Sequence, residues 1–354
     1  MTLDSHSAER PHVSGSGSPK PAIVIVARGE SPELSDGQEK FISHTDFWLT
    51  DGNLILIAGD TAFRVYQGLL TRNSAVFADM FATAAADVTE MFDGCPVVRL
   101  PQVHPDDLRD FLQYLMPCSE LRLRDGLPVS DFSELHAAIH LAHKYQCSSV
   151  ETRALSVLKQ YYTPHFVEYT RYSTSRPRML RPPRDVAITA VNIARLTDTP
   201  SVLPFALYRV CTLEDQMKYR YRRRDGSVEH LSADDFRLCV GSRDTLAKVM
   251  EVLVDAVFNT RPSSRCKIAE QCMRALRDIF DNVELNALYE CDVLDSYEDA
   301  IANWAAGFKL CRICEKAMLA RELAQRRRVW KLLPGVFGMT VEECGFTTGA
   351  ESSW

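Results

Sequence analysis

The sequence reads as an α+β domain, a small sheet capped by helices, followed by a mostly all-α domain. Three observations carry that reading. An apolar run over residues 54–58 and an alternation over residues 62–65 give way to a helical stripe over residues 70–81. Helical stripes resume after residue 185, with no clear strand alternation among them. Between the two lies a Pro/Arg-rich stretch, with Arg176-Pro177-Arg178 and Arg181-Pro182-Pro183-Arg184.

Residues 1–40 have the composition of a disordered tail, with Ser14-Gly15-Ser16-Gly17-Ser18-Pro19 resembling a flexible linker. Ala22 to Ala27 is strand-like but has no evident partner nearby. Its glycines precede it, whereas a phosphate-cradling loop follows a strand and opens a helix. Leu54 to Ala58 is an unbroken apolar run, and Phe63 and Val65 alternate with Ala62 and Arg64. Gly59-Asp60 between them is a hairpin signal, because glycine accepts the positive φ of tight turns. Leu70, Phe77 and Phe81, widened by Met80, then form one helical face, with Ser74 as the N-cap of its second half. Residues 82–95 lack periodicity and read as a loop, and Val97 to Leu100 as a strand stopped by Pro101.

Leu108, Phe111, Leu112 and Leu115 mark the next helix. Leu135, Ala138, Ile139 and Ala142, then Val150, Ala154, Val157 and Leu158, mark a helical pair. Further stripes run through Ala187–Ala194, Leu203–Val210, Leu246–Val257 and Ile268–Ile279. Residues 218–235, rich in arginine, read as an exposed loop. A helix over about residues 309–333 is expected to end at Pro334-Gly335, with Trp330, Leu333 and Phe337 folding onto the helical body.

The segment Asp51-Gly52-Asn53-Leu54-Ile55-Leu56, Phe63-Arg64-Val65-Tyr66, Leu69-Leu70 and Asn73-Ser74-x-x-Phe77-x-x-Met80-Phe81 resembles the opening of a BTB/POZ domain. Asn53 and Tyr66 depart from it, since many members carry an acidic residue and a histidine there. His104-Pro105-Asp106-Asp107 and Ala142-His143-Lys144-Tyr145 look like later landmarks of the same family. The end of the chain resembles that of a fungal, mushroom-type set of BTB proteins. There a helical region closes on Cys-x-x-Cys and Trp-x-x-Leu-Pro-x-x-Phe-Gly, here Cys311 to Cys314 and Trp330 to Gly338. The domains expected are a tail at 1–40, a BTB-like domain at 41–163, a connector at 164–185, a helical domain at 186–340 and a flexible tail at 341–354.

The resemblance implies a non-enzymatic module for protein partners, with residues 41–163 self-associating as a homodimer. By residue type, Leu69, Leu70 and Phe77 are its candidate contact residues, a core role being the alternative. Val88-Thr89-Glu90 occupies about the place of a hydrophobic-x-acidic motif by which some BTB proteins bind cullin scaffolds. A cullin adaptor using Val88 and Glu90 is therefore the second reading, beside that of an ordinary loop valine and glutamate. A third, of another class, is a zinc- or thiol-dependent enzyme in the helical half.

The composition, 46% hydrophobic and 25% charged over 354 residues, fits a globular chain of about two domains. A net charge of −6 argues against general nucleic-acid binding. No apolar run reaches bilayer-spanning length and no secretory signal opens the chain, so the expected location is intracellular, cytoplasm or nucleus. Eleven scattered cysteines then read as reduced thiols.

Cys311 and Cys314 form the one CxxC, and the favoured reading packs both, i and i+3 on one helix, as small apolar groups. No metal, cofactor or catalytic residue is assigned on that reading. Zinc would need two further ligands, for which Cys266, Cys272 and Cys291 are candidates. A redox pair would need a low-pKa thiol at a helix N-terminus. His136, His140 and His143 share a helical stripe, but the Glu of HExxH is missing. That stripe reads as a solvated or partly packed face, with metal binding or a pH-sensitive contact as alternatives. Arg222-Arg223-Arg224 and Arg326-Arg327-Arg328 read as solvated basic runs, with phosphate contact or an import signal as alternatives.

Overall fold

The protein is described from a computed structural model. The described residues are 22–30, 38–84, 90–115, 132–175, 184–213, 220–287 and 292–347. The chain divides into two compact units, Met1–Gly68 with Asp79–Pro105 and Leu69–Ala78 with Asp106–Trp354. The architecture is a mixed six-stranded sheet with helices, followed by a mostly helical region.

The first unit holds β1 (Ala22–Val26), β2 (Gln38–Trp48), β3 (Leu54–Ala58), β4 (Thr61–Val65), β5 (Met91–Phe92) and β6 (Cys95–Arg99), in the order β1-β2-β4-β3-β6-β5. β3 and β4 form the expected antiparallel hairpin, from Leu54 opposite Val65 to Ala58 opposite Thr61. Gly59 turns it at φ 56°, and a Cβ there would meet Pro105 at 3.3 Å. Every β3 residue is buried, which is why its sequence is a continuous apolar run rather than an alternating one. One face packs Phe41, Ile55, Ile57, Ala62 and Cys95 together.

β1 lies within the stretch 1–40 that the sequence reads as a tail, of which 1–21 and 31–37 are outside the described residues. It pairs in parallel with β2, Ala22 opposite Gln38 through Val26 opposite Ile42, as an edge strand. A parallel partner is not announced by a short turn, so nothing local in the sequence marks it. Likewise β5 takes two residues from the stretch read as a loop, by pairing with β6.

Asn53 and Tyr66, the two departures from the BTB pattern, each make a local bond. Asn53 Oδ1 accepts the Gln67 N–H at 2.9 Å, where α1 (Gln67–Asn73) begins, and the Tyr66 hydroxyl donates to Asp51 at 2.7 Å. Gly52 is needed beside them, because a Cβ would stand 2.9 Å from Arg64 Cγ. Ser74 caps α2 (Ala75–Ala84) as expected, its Oγ accepting the Phe77 N–H at 3.0 Å.

The second unit continues with α3 (Pro105–Leu115), α4 (Phe132–Lys144), α5 (Ser148–Tyr161), α6 (Phe166–Ser175), α7 (Val186–Leu196) and α8 (Leu203–Cys211). The hairpin of β7 (Arg220–Arg222) and β8 (Val228–His230) follows, replacing the loop expected there. Then come α9 (Ala233–Val257), α10 (Ala269–Ala287), α11 (Glu298–Gly307), α12 (Arg312–Val336) and α13 (Val341–Cys344).

Trp330 on α12 is wholly buried, with its ring centroid 4.9 Å from Tyr169, 5.3 Å from Phe205 and 5.2 Å from Phe346. Leu333 and Phe337 are buried as the sequence implies. α12 nevertheless runs on through Pro334 to Val336, since a proline there costs only the hydrogen bonds of the final turn. Of the flexible tail expected at 341–354, residues 341–347 are ordered in the fold, and the rest lie outside the described residues. Phe346 is 4% exposed against Trp330, and the Thr347 carbonyl accepts the Phe166 N–H at 2.9 Å. Among the described residues, no helix is long and apolar enough to cross a membrane.

Candidate functional site

The proposed contact residues separate by burial. Leu70 is 1% exposed and Phe77 is fully buried, with its ring stacked 4.5 Å from Tyr145. Both take the core alternative, because the helical stripe that marks them points inward. Leu69 is half-buried. Glu90 is occupied within its own unit. Its two carboxylate oxygens accept from Arg99 Nε at 3.1 Å and Nη2 at 2.7 Å, while Arg99 Nη1 also bonds Glu39 at 2.7 Å. Val88 lies outside the described residues, as does Cys291.

The histidine stripe meets the β7–β8 hairpin. His136 Nε2 lies 3.0 Å from Glu229 Oε1, and the other oxygen of Glu229 accepts from Thr189 at 2.5 Å and Asn192 at 3.3 Å. Arg223 Nε adds a contact at 3.6 Å. Burial opposes the Glu229 charge, but His136, Thr189 and Asn192 together bring its carboxyl down to about 2. His140 stacks on His136 at 5.8 Å. Burial, then the neighbouring His136 and Arg223, push the His140 imidazole down to about 4. His143 turns away to Glu151 at 2.9 Å.

The first arginine run is also tied into the fold. Arg223 reaches Asp107 at 3.3 Å, and Arg224 donates to buried Asp110, which also binds Arg109. In the second run, Arg326 pairs with Glu322 at 2.6 Å, both buried. Arg223, Arg224 and Arg326 are therefore structural, whereas Arg222, Arg327 and Arg328 are exposed, as a solvated run would be.

The residues the sequence reading passed over here are Glu229 and its hairpin. The signal was present: Asp225-Gly226, with Gly226 at φ 81°, sits between Arg220–Arg222 and Val228–His230 as a hairpin turn would. Three-residue strands are too short for alternation to show.

The cysteines show the largest gathering of chemistry-bearing residues. Cys311 is the N-cap of α12, in extended conformation, and Cys314 lies in its first turn. Cys272 lies in the first turn of α10, and Cys266 in the turn before it, its N–H bonded to the Ser263 carbonyl at 2.9 Å. The four sulfurs all lie within 4.8 Å of one another. Cys266 Sγ and Cys311 Sγ stand 3.7 Å apart, and none of the four is in a disulfide.

Cys272 and Cys314 are buried, whereas Cys266 and Cys311 reach partly to the surface. The Ser263 N–H points at Cys314 Sγ from 3.4 Å. Burial lifts the Cys314 thiol to about 12. At Cys311 burial is outweighed by the Cys314 N–H and the surrounding thiols, and the thiol falls to about 7. The favoured sequence reading packs Cys311 and Cys314 together at one helix; the structure adds Cys266 and Cys272 to them. The two extra sulfurs that a metal would need are there.

Compared with protein-family models, curated proteins and solved structures, the chain matches none.

Proposed function

We propose that the protein is a non-enzymatic interaction module of the BTB/POZ type, which self-associates and carries a helical region for further protein partners. The observation that carries this reading is the order of elements. A β3–β4 hairpin leads into α1 and α2, β6 returns parallel to β3, and α3 precedes the α4–α5 pair. That is the succession the sequence resemblance implies. Beside it, both oxygens of the Glu229 carboxylate are engaged by His136, Thr189 and Asn192, as in a group that holds structure.

Exposed apolar surface for self-association lies in the N-terminal unit at Met91, 52% exposed on edge strand β5, and at Tyr66. β1 presents the opposite edge, with Val24, Ile25 and Val26 half-buried. An unprotected apolar edge invites pairing with a second chain. The cullin-adaptor alternative draws no support from Glu90, whose carboxylate is already neutralised by Arg99.

Sedimentation of the full chain at micromolar concentration is the test. A dimer is expected, weakened about tenfold or more by Leu69→Glu with thermal stability little changed. A strictly monomeric chain would overturn the reading.

A further inference from the structure

We propose that Cys266, Cys272, Cys311 and Cys314 bind one zinc ion in a closed four-thiolate site that ties the start of α10 to the start of α12.

The spacing of the sulfurs supports the assignment. Four thiolates at the usual Zn–S length of about 2.3 Å stand about 3.8 Å apart at the corners of a tetrahedron. The Cys266–Cys311 separation is 3.7 Å, and all four sulfurs fall within 4.8 Å. Chance packing of cysteines as small apolar groups has no reason to converge four sulfurs at one point from two stretches, 266–272 and 311–314, with 38 residues between them.

The setting favours negative sulfur. Cys311 and Cys314 open α12, and Cys272 opens α10, so two helix N-termini face the cluster. The Ser263 N–H supplies the kind of second-layer donor that orients a metal-bound thiolate. Arg321 gives an independent observation. Its guanidinium is half-buried beside Cys314, and Nε has no hydrogen-bond partner among the described residues. Arg321 Nη1 bonds the Asn259 amide oxygen at 2.9 Å, and no carboxylate pairs with this arginine among the described residues; four thiolates around Zn²⁺ carry two net negative charges and would supply that counter-charge. Binding displaces the thiol protons to solvent, and no electron is transferred.

Zinc is favoured over harder cations because all four donors are sulfur. With every position filled by protein, no place remains for a reacting water, so the site holds structure rather than performing hydrolysis. The partly exposed Cys266 and Cys311 mark the side from which the ion enters.

The test uses the full chain purified in reductant without chelator. Elemental analysis is expected to give about one zinc per chain. Exchange for Co²⁺ should give thiolate-to-cobalt charge-transfer absorption and the intense visible bands of a tetrahedral site. Cys272→Ser and Cys314→Ser should each abolish the zinc, whereas Cys344→Ser, outside the cluster, should keep it. As a readout independent of the folding of those two variants, the wild-type chain is alkylated. Cys266 and Cys311 should resist alkylation until a chelator is added, and then react. A reduced wild-type chain that neither contains zinc nor takes up Zn²⁺ or Co²⁺ overturns the proposal. So does uptake that persists in folded Cys272→Ser protein, or alkylation of Cys266 and Cys311 that a chelator does not change.

Discussion

Two clusters in the helical unit bring ionisable side chains together, and they differ in how completely they satisfy themselves. Around Glu229 each partner answers another: His136, Thr189, Asn192 and Arg223 supply donors to one carboxylate, and both its oxygens are engaged. Around Cys314 there are four sulfurs, each a weak donor and weak acceptor, at the positive ends of two helices. The first cluster closes its own charge balance with groups from α4, α7 and the β7–β8 hairpin. The second concentrates anion-favouring geometry at four sulfurs, with the half-buried Arg321 guanidinium beside Cys314. A self-satisfied network holds elements in register, while an unbalanced one calls for a ligand.

The largest expected effect tests the closed cluster. Glu229→Ala leaves His136 and Arg223 facing a buried gap, and should destabilise the fold by about 3–5 kcal/mol in denaturant titration. A loss below about 1 kcal/mol would show that the network is incidental.

Next comes the effect of acid on the same carboxyl. Its folded value near 2 lies below the usual 4.5, so its contribution is complete above pH 4.5 and is lost as pH falls toward 2. Up to about 3 kcal/mol should disappear across that window in the wild-type chain and not in Glu229→Gln.

The open cluster gives a comparable but ligand-dependent effect. Zinc at a hundredfold excess over its dissociation constant should raise unfolding free energy by about 2.7 kcal/mol, and Cys272→Ser should cancel that gain.

The smallest effect belongs to His140. Its folded value near 4 lies below 6.5, so stability is complete above pH 6.5 and declines as pH falls to 4. After allowing for solvent screening, about 1–2 kcal/mol is expected, absent in His140→Gln. Loss in this window reports first the burial of the ring, then the neighbours His136, Arg223 and Lys144, which the protonated ring would have to face.

Much of the architecture was legible from local pattern. The β3–β4 hairpin, the Ser74 cap, the α4–α5 pair and the burial of Trp330, Leu333 and Phe337 each follow from spacing within a few turns of chain. The site was half legible. CxxC was visible, and Cys266 and Cys272 were among the thiols considered, but a Cys-x5-Cys spacing at the head of a helix does not advertise a metal site. Leu70 and Phe77 show the opposite difficulty, since one apolar stripe in sequence cannot tell a face turned to the core from one turned to a second chain.

Periodicity and turn chemistry thus fixed which segments become helices and strands, because those choices depend on residues a few positions apart. Folding in three dimensions settled the pairing of β1 with β2, the docking of the β7–β8 hairpin on His136 and the meeting of two cysteine pairs. Those contacts join distant stretches, and their free energy depends on how whole elements pack rather than on any short run of residues.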